Sequence, residues 1–291
     1  MRIGHNRVRA QAVARGALAL AATALAAASP AAAAATDTYY ERAFVVAADG
    51  RCELFPAAIA AALEAATAQA RGAALRGGAN PAELAAVAGR AQARARAVSC
   101  RDPELATVRQ RVANAFAGWS RTPRMTFPGA RLAWTADRYS WDKTSWRLRQ
   151  ATRIGASPVA FGYAGKGEGP ALAAVVSWHG RPRPYAARLV LRDPARLARP
   201  WVTGDGLPPA PARASFWSSG VAPADAALLD GDRRTGDLWR FPAAAGEALA
   251  RLDPRESFAL EFHFRDGSVA TARLEAGDFT AGRAFLAMGA V

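Results

Sequence analysis

The chain has 291 residues and carries 38 Lys and Arg against 24 Asp and Glu, a net charge of +14. Only Lys143 and Lys166 are lysines, and such a preference for Arg beside abundant Ala is what a GC-rich genome produces by codon supply. The overall charge therefore does not predict a nucleic-acid partner. Two cysteines and three histidines, without CxxC, HxxxH or HExxH spacing, give no basis for a metal site or a cofactor.

The N-terminus has the composition of a cleaved export signal. Four arginines and no acidic residue occupy the first sixteen positions, and Ala17–Ala28 then runs for twelve residues without a charge. A Ser-Pro pair interrupts that run, and small residues follow it up to Ala35. This order predicts a signal peptide over residues 1–35, cleaved before Thr36, and a periplasmic or secreted protein that is not transmembrane after cleavage. An uncleaved anchor and an organelle transit peptide are the alternatives, and no later stretch is long and apolar enough to span a bilayer.

Residues 36–120 have the pattern of helices separated by short breaks. Apolar residues recur at helical spacing, and Pro and Gly stand where helices are expected to begin and end. Two of the expected helices have a capping residue followed by Pro at the first position, Asn80 before Pro81 and Asp102 before Pro103. The four predicted helices are Thr38–Leu54, one from Pro56 to just before Gly77, one that begins at Pro81 and one that begins at Pro103.

The two cysteines flank the second and third predicted helices. A short connection makes these helices antiparallel neighbours, which returns Cys100 to the vicinity of Cys52. An exported protein meets an oxidising compartment, and one pair leaves no free thiol. We therefore predict a Cys52–Cys100 disulfide that closes a loop of 49 residues. The lack of a CxxC motif or a nearby His disfavours a redox or metal role.

Beyond residue 120, short runs rich in Trp, Val, Tyr and Phe are separated by Gly and Pro, as expected for strands and turns. A helix over Pro242–Leu252 and a closing helix capped by Asp278 are also predicted. The predicted strands are Ser145–Arg153, Pro158–Ala164, Ala171–Trp178, Pro184–Arg192, Glu256–Phe264 and Ser268–Glu275. The sequence thus predicts an α+β fold: a helical region over 36–120, with about four helices and one disulfide, packs with an α+β region over 121–291. The latter is expected to hold an antiparallel or mixed β-sheet and a few helices.

The last two predicted strands allow two registers. A two-residue turn would pair Phe262 with Thr271 and mix apolar with polar side chains on one face. A three-residue loop over Arg265–Gly267, with the glycine left-handed, instead pairs Phe262 with Ala270 and keeps the apolar face continuous. We therefore predict the longer loop, which places His263 on the side away from the core.

Positive charge is concentrated in one segment of the chain. Residues 121–200 have fifteen Lys and Arg against four Asp and Glu, whereas residues 201–291 have a balance of −3. In two predicted strands of this segment, alternation places arginines on the face opposite the apolar side chains. If both strands belong to one sheet, the guanidinium groups converge, and their forked donors suit phosphate or carboxylate oxygens. The candidate ligand-binding residues are Arg147, Arg149, Arg153, Arg188 and Arg192.

The partners expected for such a face are anionic lipid head groups or an envelope polysaccharide, and not nucleic acid. The alternative is that these arginines only solvate the outer side of a half-buried sheet. The eight tryptophans would suit a carbohydrate-stacking surface, although aromatic residues at strand spacing more often build the core.

Ser140 and Lys143 have the SxxK spacing, in which a lysine amine can activate a serine hydroxyl. The four residues from Ser140 to Lys143 resemble the nucleophile motif of penicillin-binding proteins and related hydrolases, but the sequence lacks the SDN and KTG motifs of that family. A turn before a strand is the alternative. The glycines around Lys166 precede a predicted strand rather than a helix, which favours a hairpin loop over a phosphate-binding loop. His179 lies beside a glycine and is expected in a surface loop.

Taken together, these features predict an exported, non-enzymatic protein that binds an anionic envelope component through an Arg-rich sheet face. Two alternatives remain: a Ser-Lys hydrolase that uses Ser140 and Lys143, and a structural or inhibitory envelope protein that binds another protein.

Overall fold

The computed structural model describes residues 30–139, 142–167, 169–203 and 206–291. In these ranges the chain has the predicted α+β fold, with four N-terminal helices and one disulfide followed by antiparallel sheets and two further helices. The α-helices are α1 (Pro30–Cys52), α2 (Ala57–Arg76), α3 (Pro81–Ala97), α4 (Pro103–Ser120), α5 (Ala243–Ala250) and α6 (Phe279–Leu286). The first strands are β1 (Arg124–Pro128), β2 (Ala133–Asp137), β3 (Ser145–Ile154), β4 (Ser157–Gly165), β5 (Ala171–Val176) and β6 (Ala186–Arg192). The later strands are β7 (Arg213–Trp217), β8 (Gly220–Pro223), β9 (Asp237–Arg240), β10 (Ser257–His263) and β11 (Val269–Glu275).

Helices α3 and α4 begin where their capping residues predict. The Asn80 side chain accepts a hydrogen bond from the N–H of Ala82 at 2.9 Å, and the Asp102 carboxylate accepts one from the N–H of Glu104 at 2.8 Å. These caps satisfy N–H groups that have no partner within the helix. Helix α1 begins earlier than predicted, so the expected cleavage point before Thr36 falls inside it. The rest of the predicted signal peptide, residues 1–29, lies outside the described residues.

The predicted disulfide joins Cys52 at the end of α1 to Cys100 before α4, with the two Cα atoms 5.5 Å apart. Arg51 supports the same junction, because its guanidinium donates to the main-chain oxygens of Arg96, in the last turn of α3, and of Val98, just after it. The bond and these contacts tie the first and third helices together.

The strands form two antiparallel sheets. In the first sheet the order is β1-β2-β3-β4-β5-β9-β8, and in the second it is β11-β10-β6-β7. The β10–β11 hairpin has the predicted register, with Phe262 opposite Ala270. Gly267 adopts the left-handed conformation that the three-residue loop requires, with φ at +83°.

The core lies between the inner faces of the two sheets. Trp134 of the first sheet stacks on Phe258 of the second, with ring centroids 6.5 Å apart, and Phe161 lies 5.4 Å from the same ring. The fully buried Gln150 also joins the sheets: its amide donates to the main-chain oxygen of Glu275 and accepts from the Glu275 N–H. These bonds satisfy main-chain groups at the free edge of β11.

Helix α6 connects the sheets to the N-terminal helices. Its Phe285 packs against Trp119 of α4 and Phe127 of β1. Asp278 precedes α6 as predicted, but its carboxylate does not cap the helix, because it binds the Arg76 guanidinium of α2 at 2.7 and 2.9 Å. Gly72 permits this approach, since a Cβ there would lie 2.0 Å from the Asp278 carboxylate.

Candidate functional site

The predicted convergence of five arginines on one sheet is wrong. Arg147, Arg149 and Arg153 belong to β3 of the first sheet, whereas Arg188 and Arg192 belong to β6 of the second. The two strands have different hydrogen-bonded partners, so their outer faces are separate surfaces. The ligand-binding hypothesis must therefore be considered for each sheet by itself.

A β-bulge changes the alternation within β3. The pairing with β4 shifts between Trp146 and Leu148, so Arg147 has no partner in the ladder. Its side chain is fully buried and donates hydrogen bonds to the main-chain oxygens of Tyr139 and Lys143. Burial lowers the pKa of Arg147. This arginine holds the connection between β2 and β3 and does not face a ligand.

The two arginines of β6 are paired with carboxylates of the neighbouring segment. Arg192 and Glu256 are almost completely buried and form a bidentate pair, and Arg192 also donates to the main-chain oxygen of Leu197. Glu256 in turn accepts the N–H of Trp201. The chain after β6 is thereby held against this end of the sheet. Arg188 pairs with Glu261 of β10, with Nε 2.9 Å from Oε2.

Arg149 and Arg153 do share the outer face of β3, as alternation predicts. The Arg149 guanidinium pairs with Asp230, whereas the side chain of Arg153 is exposed. Of the five candidate arginines, two are therefore buried and two of the others have a carboxylate partner. The outer faces are much closer to electrical neutrality than the count of arginines suggests.

On the second sheet the structure assembles an aromatic patch, formed by Tyr185, Arg188, Trp217, Glu261 and His263. Trp217 is 49% exposed and Tyr185 is 60% exposed. The His263 ring lies between them, 5.1 Å from the Trp217 ring and 6.4 Å from the Tyr185 ring. Arg188 places its guanidinium 5.0 Å from the centre of the Trp217 ring.

The strand register explains why these side chains meet. Arg188 lies directly opposite Glu261 on one side and Trp217 on the other, and Val269 at the rim lies opposite His263. The N–H of Tyr185 donates to the main-chain oxygen of His263, which extends this pairing beyond the end of β6. Three strands and the segment before β6 thus present rings, one guanidinium and one carboxylate on a single open surface.

The first sheet has a groove on its outer face, which we call the β2–β3 groove. It has a volume of about 410 Å³ and is open to solvent. Trp146 and Ala227 also line it, and the Trp146 indole N–H donates to the main-chain oxygen of Leu228, which follows Ala227. Its polar lining consists of Arg124, Thr135, Asp137, Ser145 and Arg149.

The described residues of the other sequence motifs do not line the β2–β3 groove. Ser140 lies outside the described residues, and Lys143 is exposed in the connection before β3. The loop around Lys166 joins β4 to β5, as expected for a hairpin. His179 is exposed after β5. No cluster of three or more His, Cys, Asp or Glu side chains able to hold a metal ion occurs within the described ranges.

No family model, curated protein or solved structure matches this chain. Its chemistry must therefore be inferred from its own side chains. Among the helices that the structure describes, none combines the length and apolar character needed to cross a bilayer.

The sequence points to only part of the aromatic patch. Alternation selects Arg188 as a candidate, and the hairpin register predicts that His263 faces away from the core. Trp217 was missed because it belongs to β7, a five-residue strand whose sequence has no regular apolar alternation. Its position opposite Arg188 results from pairing between distant segments, which no local pattern reports.

Proposed function

We propose that this protein is an exported, non-enzymatic binding protein, periplasmic or secreted, and that it binds an envelope polysaccharide through the aromatic patch. The observation that carries this proposal is the half-exposed Trp217 ring beside the Arg188–Glu261 pair. Export rests on the composition of the N-terminus, with its basic residues, its uncharged run and its small residues before Thr36.

The chemistry of the patch suits a sugar chain. The faces of sugar rings carry C–H groups that pack on aromatic rings, and Trp and Tyr supply large rings that also have a polar end. The Arg188 and Glu261 side chains provide donors and acceptors side by side for pairs of hydroxyl groups. The three rings of Tyr185, His263 and Trp217 follow one another across the sheet, so an extended chain can contact more than one ring.

The charge of the patch favours a polysaccharide over an anionic membrane. Arg188 is paired with Glu261, so the patch itself has no large excess of positive charge. Attraction to anionic lipid head groups depends on unpaired basic residues near the surface. Binding through stacking and paired polar groups should also depend weakly on salt, whereas attraction to a charged surface is screened.

The test is binding to a panel of soluble polysaccharides that includes neutral glucans and uronic-acid polymers. We expect Trp217→Ala to weaken binding about tenfold, which corresponds to ~1.4 kcal/mol. Trp217→Phe should retain most of the affinity because an aromatic ring remains. Tyr139→Ala is the matched control, since Tyr139 is 64% exposed but lies just after β2, outside the aromatic patch.

Failure of the wild-type protein to bind any member of the panel would contradict the proposal, as would equal affinities of the Trp217→Ala and Tyr139→Ala variants. Binding to anionic vesicles that disappears at moderate salt and is unchanged in Trp217→Ala would instead favour the lipid alternative. Urea unfolding of each variant establishes that the fold is retained.

A further inference from the structure

We infer that the β2–β3 groove is a second site, and that it binds the phosphoryl group of a small ligand. The groove lies on the outer face of the first sheet, whereas the aromatic patch lies on the second sheet. The inference does not rest on the proposed polysaccharide binding, and either can fail without the other.

The acceptors in the groove are already occupied. Asp137 accepts from Nε and Nη2 of Arg124 through one carboxylate oxygen, at 3.0 and 2.6 Å, and from the N–H of Tyr139 through the other. Asp230, beside the groove, accepts from Nη2 of Arg149. These pairs fix the positions of both guanidinium groups. Two arginines and one aspartate line the groove, so the charge of its lining favours an anion.

Donors in the groove, by contrast, are left without partners. The Oγ of Ser145 and the Nε of Arg149 are shielded from water and have no hydrogen-bond partner among the described residues. Shielded donors of this kind carry a free-energy cost that a suitable acceptor removes. The Arg149 guanidinium remains paired with Asp230 through Nη2, and because 29% of the side chain is exposed, its other terminal N–H groups can donate to a ligand in the groove.

The bulge in β3 brings two of the groove's side chains to the same face. Since the alternation shifts at Arg147, Trp146 and Arg149 both point to the outer face. Directly opposite Arg149 in β4 stands Gly162, where the two strands approach closely. A Cβ at Gly162 would lie 1.9 Å from the main-chain oxygen of Leu148, and its φ of +149° also favours glycine.

The donor set selects the chemical class of the ligand. Arg149 and Ser145 of β3 line the groove together with Arg124 of β1. A phosphoryl group offers three acceptor oxygens and up to two charges, whereas a carboxylate offers two oxygens in one plane. The half-buried Trp146 gives the remainder of the ligand an aromatic surface to pack against.

The experiment is calorimetric titration of the full chain with inorganic phosphate, and in parallel with acetate, at constant ionic strength. We expect saturable phosphate binding that Arg149→Met weakens at least about tenfold and Ser145→Ala weakens several-fold. Arg153→Met is the matched control, because Arg153 lies four residues farther along the same face of β3 but does not line the groove.

Three results would overturn the inference. The first is no saturable phosphate binding by the wild-type protein, and the second is acetate binding as tight as phosphate binding. The third is an equal loss in Arg149→Met and Arg153→Met, which would indicate a general attraction to the basic segment. Ser145→Ala changes a single hydroxyl, so it keeps the test decisive if Arg149→Met fails to fold.

Discussion

The buried carboxylate of Glu275 connects the end of β11 to the turn between β1 and β2. It stands at the end of β11, and its oxygens accept the N–H groups of Arg131 and Leu132 at 2.8 and 3.0 Å and the Nε of Arg131 at 3.2 Å. The β1–β2 turn is therefore held to the second sheet by a negative charge. Burial by itself would raise the pKa of Glu275, but these donors together lower it below its ordinary value of 4.5.

This lowered pKa predicts how the stability of the protein depends on pH. The carboxylate of Glu275 stabilises the fold above about pH 4.5, and that contribution is lost as the pH falls through the folded-state pKa. Glu275→Gln should lower the free energy of unfolding at pH 7 by about 1.5–3 kcal/mol, the range for hydrogen bonds to a charged group. The difference from the wild type should shrink as the pH falls below the ordinary pKa of 4.5 and then through the lower folded-state pKa.

Urea unfolding of both proteins between pH 3 and pH 8 measures this difference. Glu64→Gln is the control, because Glu64 is exposed on α2 and has no ion pair with any described residue. A Glu275→Gln difference that stays constant over the whole pH range would contradict the assigned role of the charge.

At the scale of elements, the end of α1 and the loop before α4 are held together covalently. The Cys52–Cys100 bond closes most of the helical region into one loop, which restricts the unfolded chain. Replacing both cysteines with serine should therefore lower the free energy of unfolding by up to about 4 kcal/mol. A reducing agent should destabilise the wild type by a similar amount.

Urea unfolding with and without the reducing agent tests this prediction, and the double serine variant should not respond to the agent. If mass mapping of the unreduced, exported protein finds two free thiols, the mature chain lacks this disulfide and the prediction is wrong. Mass analysis of the same material also tests export, because the product is expected to begin at or near Thr36.

At the scale of the whole molecule, the Arg76–Asp278 pair joins the helical region to the sheets. The Asp278 side chain is only 1% exposed, and burial raises its pKa while Arg76 partly counteracts that rise. Arg76→Met leaves an uncompensated buried carboxylate, which should cost roughly 3–5 kcal/mol at neutral pH. Since the pKa of Asp278 is raised, the cost should fall as the pH decreases and the carboxyl takes up a proton.

A double-mutant cycle isolates the interaction of this pair. Adding Asp278→Asn to Arg76→Met should recover much of the lost stability at pH 7, because no buried charge remains. Arg90→Met, on the exposed face of α3, is the control for loss of a positive charge. No recovery in the double variant would indicate that the Arg76 contribution is packing rather than charge.

The sequence by itself determined the features that depend on neighbouring residues. The capping residues Asn80 and Asp102 predict where two helices begin. Each side chain accepts a hydrogen bond from the N–H group two residues later, so the interaction depends only on neighbouring residues. The β10–β11 register follows in the same way from a three-residue loop and two alternating strands. Even the disulfide follows from short connections between helices.

Tertiary structure decided which strands share a sheet and which arginines remain free. Arg188 meets Glu261 73 positions later in the chain, and Arg149 meets Asp230 81 positions later. The bulge that removes Arg147 from the outer face also depends on pairing with β4. Alternation specifies which residues share each face of a strand. Only pairing between distant segments specifies which side chains lie opposite one another. The aromatic patch and the β2–β3 groove could therefore be found only from the tertiary structure.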